Sequence, residues 1–206
     1  MSEAVKDLVE VAQRLGGYGY FPATSGNLSI RESGETLRMR VSVSGIDKTR
    51  LTEGDLLLVD EHLQSTEQAA RKPSAEAIVH VKLYQKSDAM CILHVHTISN
   101  NLITLRYDAR GSIPLSGNEL LKALGHWEED ARVNVPLVEN YSDLTKLATA
   151  VAAAYDPAVP GVLVKQHGIY VLGRSVAEAL RHLEAFEFLF SLTLQRAALT
   201  PLATAE

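Results

Sequence analysis

The chain holds one cysteine, Cys91, so it cannot form an internal disulfide, and a reducing cytoplasm is the expected compartment. Cys91 sits inside an apolar run, where a thiol packs as a small inert hydrophobe rather than acting as a nucleophile. No apolar run reaches the length of a membrane-spanning helix. The basic residues are scattered and the net charge is −5, which argues against nucleic acid as a partner. There is no Walker A or Gly-x-Gly-x-x-Gly sequence, which argues against a nucleotide. The first residues, Met1 to Asp7, are too charged for a signal peptide. Repeats, linkers and low-complexity tracts are also missing. What remains is an ordinary globular balance, 46% apolar and 22% charged over 206 residues, expected to form a single domain spanning 1–206.

Apolar spacing predicts a one-faced helix over 3–15, stopped by Gly16-Gly17, and then a loop over 18–27. Strands are expected at 28–31 and 37–44 around the turn 32–35, and at 56–59. A polar surface connection follows over 60–72. The next helix has Ala77, Ile78, Val81 and Tyr84 as its apolar face, Ser74 as its cap and Glu76 in its first turn. A strand ending at His94 to His96 leads to a helix over 99–107. The second half repeats the alternation: strand 112–115, helix 117–126, strand 133–138, helix 142–155, and strands 161–165 and 169–172. A last helix, opened by a capping box at Ser175 and Glu178, runs to about 199. This order implies a three-layer α/β/α domain with a central mixed β-sheet.

The chemistry centres on Met90 to Asn101. His94 and His96 are two apart at the end of a strand, so both project from one face and can grip one metal ion. A core strand running out into polar residues is the alternative. His167 also follows a β-rich run, with Gly168 to let the chain bend, and is the natural third ligand. Three neutral imidazoles leave one position open, as in catalytic zinc sites; a histidine capping a sheet edge is the plainer reading. His62 and His126 lie in polar stretches and are given no role, while His80 and His182 lie in helices and are read as surface or helix-packing residues. Glu76 and Glu119 are the candidate bases, although each also suits a helix start, where the dipole favours a carboxylate. The turns at Ser25-Gly26-Asn27, Ser44-Gly45 and Ser74-Ala75 offer backbone N–H groups and hydroxyls to an anion, or are turns only. Tyr18, Tyr20, Phe21 and Trp127 are candidate apolar walls.

Ser25-Gly-Asn-Leu-Ser29, Ser44-Gly45, Pro73-Ser-Ala-Glu76, His94-Val-His96 and Gln166-His-Gly168 occur in that order across nearly the whole chain. Together they resemble the class II aldolase and adducin head family. The resemblance implies an α/β/α fold, one Zn2+ per subunit on His94, His96 and His167, and a homotetramer with sites near subunit interfaces. By position it also implies phosphate binding by Gly26, Asn27, Ser44, Gly45 and Ser74. Glu76 falls where the aldolases keep their acid/base glutamate. Phe21-Pro-Ala-Thr24 and Asn118-Glu-Leu-Leu-Lys-Ala-Leu-Gly-His-Trp-Glu-Glu129 resemble the family's methionine-salvage dehydratase branch, which implies loss of water from 5-methylthioribulose 1-phosphate with Glu119 as acid/base. Aldol cleavage or epimerisation of another sugar phosphate, or a catalytically silent adducin-like interaction module, are the competing expectations.

Overall fold

The computed structural model describes residues 2–65 and 71–199, so the expected polar connection over 60–72 lies partly outside the described residues. Helix α1 (Glu3–Gly17) buries Val5, Leu8, Ala12 and Leu15 on one face. It runs through the glycine pair expected to stop it, and the Tyr18 N–H still bonds to the Arg14 and Leu15 carbonyls. Strands β1 (Asn27–Arg31), β2 (Arg38–Ser42) and β3 (Leu56–Asp60) form an antiparallel meander. Helix α2 (Ala77–Lys86), β4 (Cys91–Val95) and α3 (Ile98–Arg106) follow. The second half contributes β5 (Ser112–Ser116), β6 (Arg132–Val138), α4 (Leu144–Ala154), β7 (Gly161–Val164), β8 (Gly168–Gly173) and α5 (Val176–Ala198).

The eight strands make one sheet in the order β3-β2-β1-β4-β8-β7-β6-β5. It is mixed, as expected: β6 and β7 pair in parallel and the other neighbours are antiparallel. At the edge, β5 and β6 alternate between buried and exposed residues, whereas β4 and β8 are buried along their whole length. The difference follows from coverage of both faces of the sheet centre. Cys91, Leu93 and Val95 of β4 share one core with α1, α3 and α5. Ile92 joins a second core with α2 and α4. By period-two alternation His94 belongs to that second face.

Two expected helices change character. The stretch 117–126 forms a short 3-10 helix, Glu119–Leu124, between Gly117 and Gly125, both at positive φ. The helix expected from 142 starts two residues later, at Leu144, because Asp143 caps it by accepting the Thr145 and Lys146 N–H groups. At the last helix Ser175 does cap, accepting the Glu178 N–H, but the Glu178 carboxylate accepts from the Arg174 N–H.

His80, on α2, is fully buried with Nδ1 2.7 Å from the Ser29 hydroxyl. Burial pushes its pKa down to about 3. As pH falls below about 6.5 the unfolded chain takes up this proton and the native chain does not. Stability is therefore retained above that pH and lost below it, down to about pH 3. We expect His80→Asn to flatten the acid limb of a denaturant-midpoint profile by up to about 1.4 kcal/mol per pH unit. An unchanged limb would show that the acid sensitivity resides elsewhere.

Candidate functional site

β4 ends at the site because its apolar run stops at His94, which pairs with Asn27 of β1 on one side and Tyr170 of β8 on the other. The His94 ring stacks on that of Tyr170, with centroids 3.9 Å apart and an interplanar angle of 5°. Its Nδ1 donates to the Ile169 carbonyl at 3.0 Å, so Nε2 presents its lone pair inward. His96 Nε2 lies 3.0 Å from that atom. His167 Nδ1 faces Asn140 Oδ1 at 3.2 Å, which turns its Nε2 towards Glu76 Oε1, 3.1 Å away. Glu76 Oε2 is 3.1 Å from His94 Nε2. Ligand atoms of Glu76, His94, His96 and His167 thus all lie within 4.8 Å of one another.

The turn bringing His167 inward bends at Gln166 (φ 47°), not at Gly168 as the sequence suggested. Gly168 is needed for another reason: a Cβ there would lie 2.4 Å from the Val95 carbonyl and about 3 Å from both the His96 and His94 rings. Ser74 does not cap α2. Its hydroxyl accepts from Asn27 Nδ2 at 3.0 Å, while Glu76 takes the cap position and turns its carboxylate to the histidines instead of the helix amides.

Burial lowers the pKa of His94, and brings that of His96 to about 3, so both favour the neutral form. Burial alone would raise Glu76, but the His167 and His94 rings facing it hold its carboxyl well below the usual range. Neutral His94 and His96 and an ionised Glu76 thus bring several acceptors together with few protons between them. A cation among them resolves that conflict, so the donor set fits a metal ion bound by nitrogen and oxygen.

Beside this cluster lies a cavity of about 230 Å³. All five turn residues expected to hold an anion, Gly26, Asn27, Ser44, Gly45 and Ser74, line it together with Glu76 and His96. Gly26 is at φ 70°, and a Cβ there would lie 2.6 Å from the His94 carbonyl. The structure does not bring Glu119 to the cluster. Its side chain is 77% exposed and paired with Lys122 at 2.7 Å. The candidate apolar walls also separate: Tyr18 and Tyr20 line one cavity, Trp127 another, and Phe21 packs under Gly26.

Two residues escaped sequence reasoning. Lys48 lines the same cavity, signalled only by its place three residues after Gly45. Glu187, 5% exposed on α5, accepts from Thr97 Oγ1 at 2.7 Å and Asn100 Nδ2 at 3.2 Å, which fixes the chain just after His96. In the sequence it is one more polar position between Phe186 and Phe190.

Known proteins resemble the chain over most of its length. The chain is 44% identical over 188 residues to a methylthioribulose-1-phosphate dehydratase of Persephonella marina, covering 91% of this chain and 87% of that one. A protein of the same name from Bacillus subtilis is 44% identical over 194 residues, covering 94% and 93%. Among solved structures, an L-fuculose 1-phosphate aldolase superposes with a TM-score of 0.79 at 23% identity, covering 98% of this chain and 90% of that one. The L-fuculose-1-phosphate aldolase of Thermus thermophilus gives 0.75 at 22%, covering 94% of each, and these two likenesses bear on the fold. The class II aldolase and adducin N-terminal domain family matches residues 6–194, and the chain belongs to that family.

Proposed function

We propose that this protein is a zinc-dependent hydro-lyase of methionine salvage that converts 5-methylthioribulose 1-phosphate to 2,3-diketo-5-methylthiopentyl 1-phosphate. The observation that carries this reading is a metal-type donor set abutting a turn-lined anion cavity. Its support from kinship is the 44% identity to dehydratases of that name. In this reading His94, His96 and His167 hold the zinc through Nε2. When bound, zinc supplies Lewis-acid polarisation of the C2 carbonyl and so acidifies the C3 proton. Gly26, Asn27, Ser44, Gly45 and Ser74 hold the phosphate and thereby set C3 and C4 beside the carboxylates. Glu119, reaching the site from a neighbouring subunit, takes the C3 proton and passes one to the departing C4 hydroxyl. Water leaves, and the C3 enol takes up a proton at C4 to give the diketone. Glu76, held ionised, accepts a hydrogen bond from a substrate hydroxyl and orients it.

The chain then works as one domain in a cytoplasmic homotetramer with sites near subunit interfaces. Ile98, Leu102 and Phe188 support such contacts, since all three are at least 47% exposed around one open cavity of about 820 Å³. The test is incubation of zinc-loaded protein with 5-methylthioribulose 1-phosphate, followed by mass spectrometry. A product lighter by one water, lost on chelation and restored by zinc, is expected. An aldehyde with dihydroxyacetone phosphate, or a C4 epimer, would assign the site to aldol or epimerase chemistry instead.

A further inference from the structure

Among the described residues Lys48 makes no ion pair. It opens the 3-10 turn Lys48–Arg50 and is 2% exposed. Its ammonium donates to the Thr24 carbonyl at 2.5 Å, and the Phe21 ring centroid lies 5.7 Å away. Among the described residues no carboxylate oxygen approaches it within the 4.0 Å of an ion pair. A buried charge in that position is costly unless something of opposite sign joins it. Burial accordingly pushes its pKa down to about 8.

The open side of Lys48 is the cavity shared with Asn27, Ser44 and Ser74. Among the described residues two other atoms on these walls are buried without a hydrogen-bond partner, the Ser25 hydroxyl and Asn27 Oδ1, and Asn27 is 1% exposed. Turns and hydroxyls alone can solvate an anion, but they supply no full positive charge. We propose that Lys48 is the counter-charge for a dianionic phosphate group in this cavity, with the Ser25 hydroxyl as a further donor, and so selects phosphorylated over unphosphorylated sugars. The inference rests on the reading of the cavity as the phosphate site of the proposed reaction.

Calorimetric titration of the zinc-loaded protein with inorganic phosphate tests it without turnover. Lys48→Met keeps the length of the side chain and removes the charge. We expect at least about tenfold weaker phosphate binding, since hydrogen bonds to charged groups are the stronger ones. Zinc content should be the same in both proteins, because Lys48 is not a ligand. Phosphate binding to the natural protein should also weaken above about pH 8, by up to about tenfold per pH unit, as the ammonium loses its proton. A residue that merely props up the 21–26 loop would not produce that dependence. Equal affinity in Lys48→Met overturns the proposal. Should that variant not fold, a flat affinity from about pH 7 to 10 in the natural protein overturns it equally. Product analysis run alongside separates the two readings: absent dehydration with pH-dependent phosphate binding condemns the reaction and leaves Lys48 standing, and the reverse result condemns Lys48 alone.

Discussion

His96→Ala should abolish stoichiometric metal binding and lower turnover by at least about 10³-fold. The site has three imidazoles and one carboxylate, and a catalytic ion held by three protein ligands does not survive loss of one with its affinity intact. Lewis-acid stabilisation is worth several kcal/mol of barrier, and about 4 kcal/mol corresponds to the stated loss in rate. His96 is the cleanest of the three to remove. It is half-buried just past the end of β4, and its Nε2 faces the His94 ring of the same cluster. His94, by contrast, is fully buried, stacked on Tyr170 and bonded to the Ile169 carbonyl. Its replacement would cost the fold about 2–4 kcal/mol through a cavity and an unpaired carbonyl, and would confound the measurement. Metal analysis after dialysis, beside a denaturation midpoint, reads both effects. Stoichiometric metal in a folded His96→Ala protein would dismiss the imidazole site.

The sequence already contained the fold class and the face on which His94 projects, because both follow from local periodicity. Apolar residues at helical and strand spacing predict the layers, and a two-residue interval predicts that His94 and His96 point the same way. What it concealed depends on contacts far along the chain. Ser74 looks like a helix cap until Asn27, 47 residues earlier, is seen to occupy its hydroxyl. Gly168 looks like a hinge, yet its size matters because β4 passes 2.4 Å from where its Cβ would be. Lys48 is an unremarked surface cation in the sequence and becomes informative only once the Phe21 to Gly26 loop folds over it. The stretch 117–126 has helical spacing but is bounded by two glycines at positive φ, and the six residues Glu119–Leu124 between them form a 3-10 helix. Glu119 lies outside even this logic, since among the described residues its carboxylate pairs with Lys122, one turn along its own helix, and not with the histidines.

That position makes Glu119→Gln the sharpest test of the assembly. An exposed i,i+3 pair with Lys122 is worth under about 1 kcal/mol, so as a surface residue Glu119 would be replaceable with no effect on rate. As the acid/base of a neighbouring subunit's site it should cost about 10²–10⁴-fold in turnover while metal content is unchanged. The two possibilities separate further when inactive proteins are mixed. His96→Ala chains keep an intact Glu119, and Glu119→Gln chains keep an intact metal site. If subunits exchange at random in a symmetric assembly, a working site needs a Glu119→Gln chain supplying the histidines and a His96→Ala neighbour supplying the glutamate, each with even odds, so about a quarter of the sites recover. Refolding the two variants together and assaying dehydration measures that fraction. Recovery near a quarter requires the glutamate and the histidines to come from different chains. Full inactivity of the mixture, with each variant folded and assembled, would mean that Glu119 serves the site of its own chain.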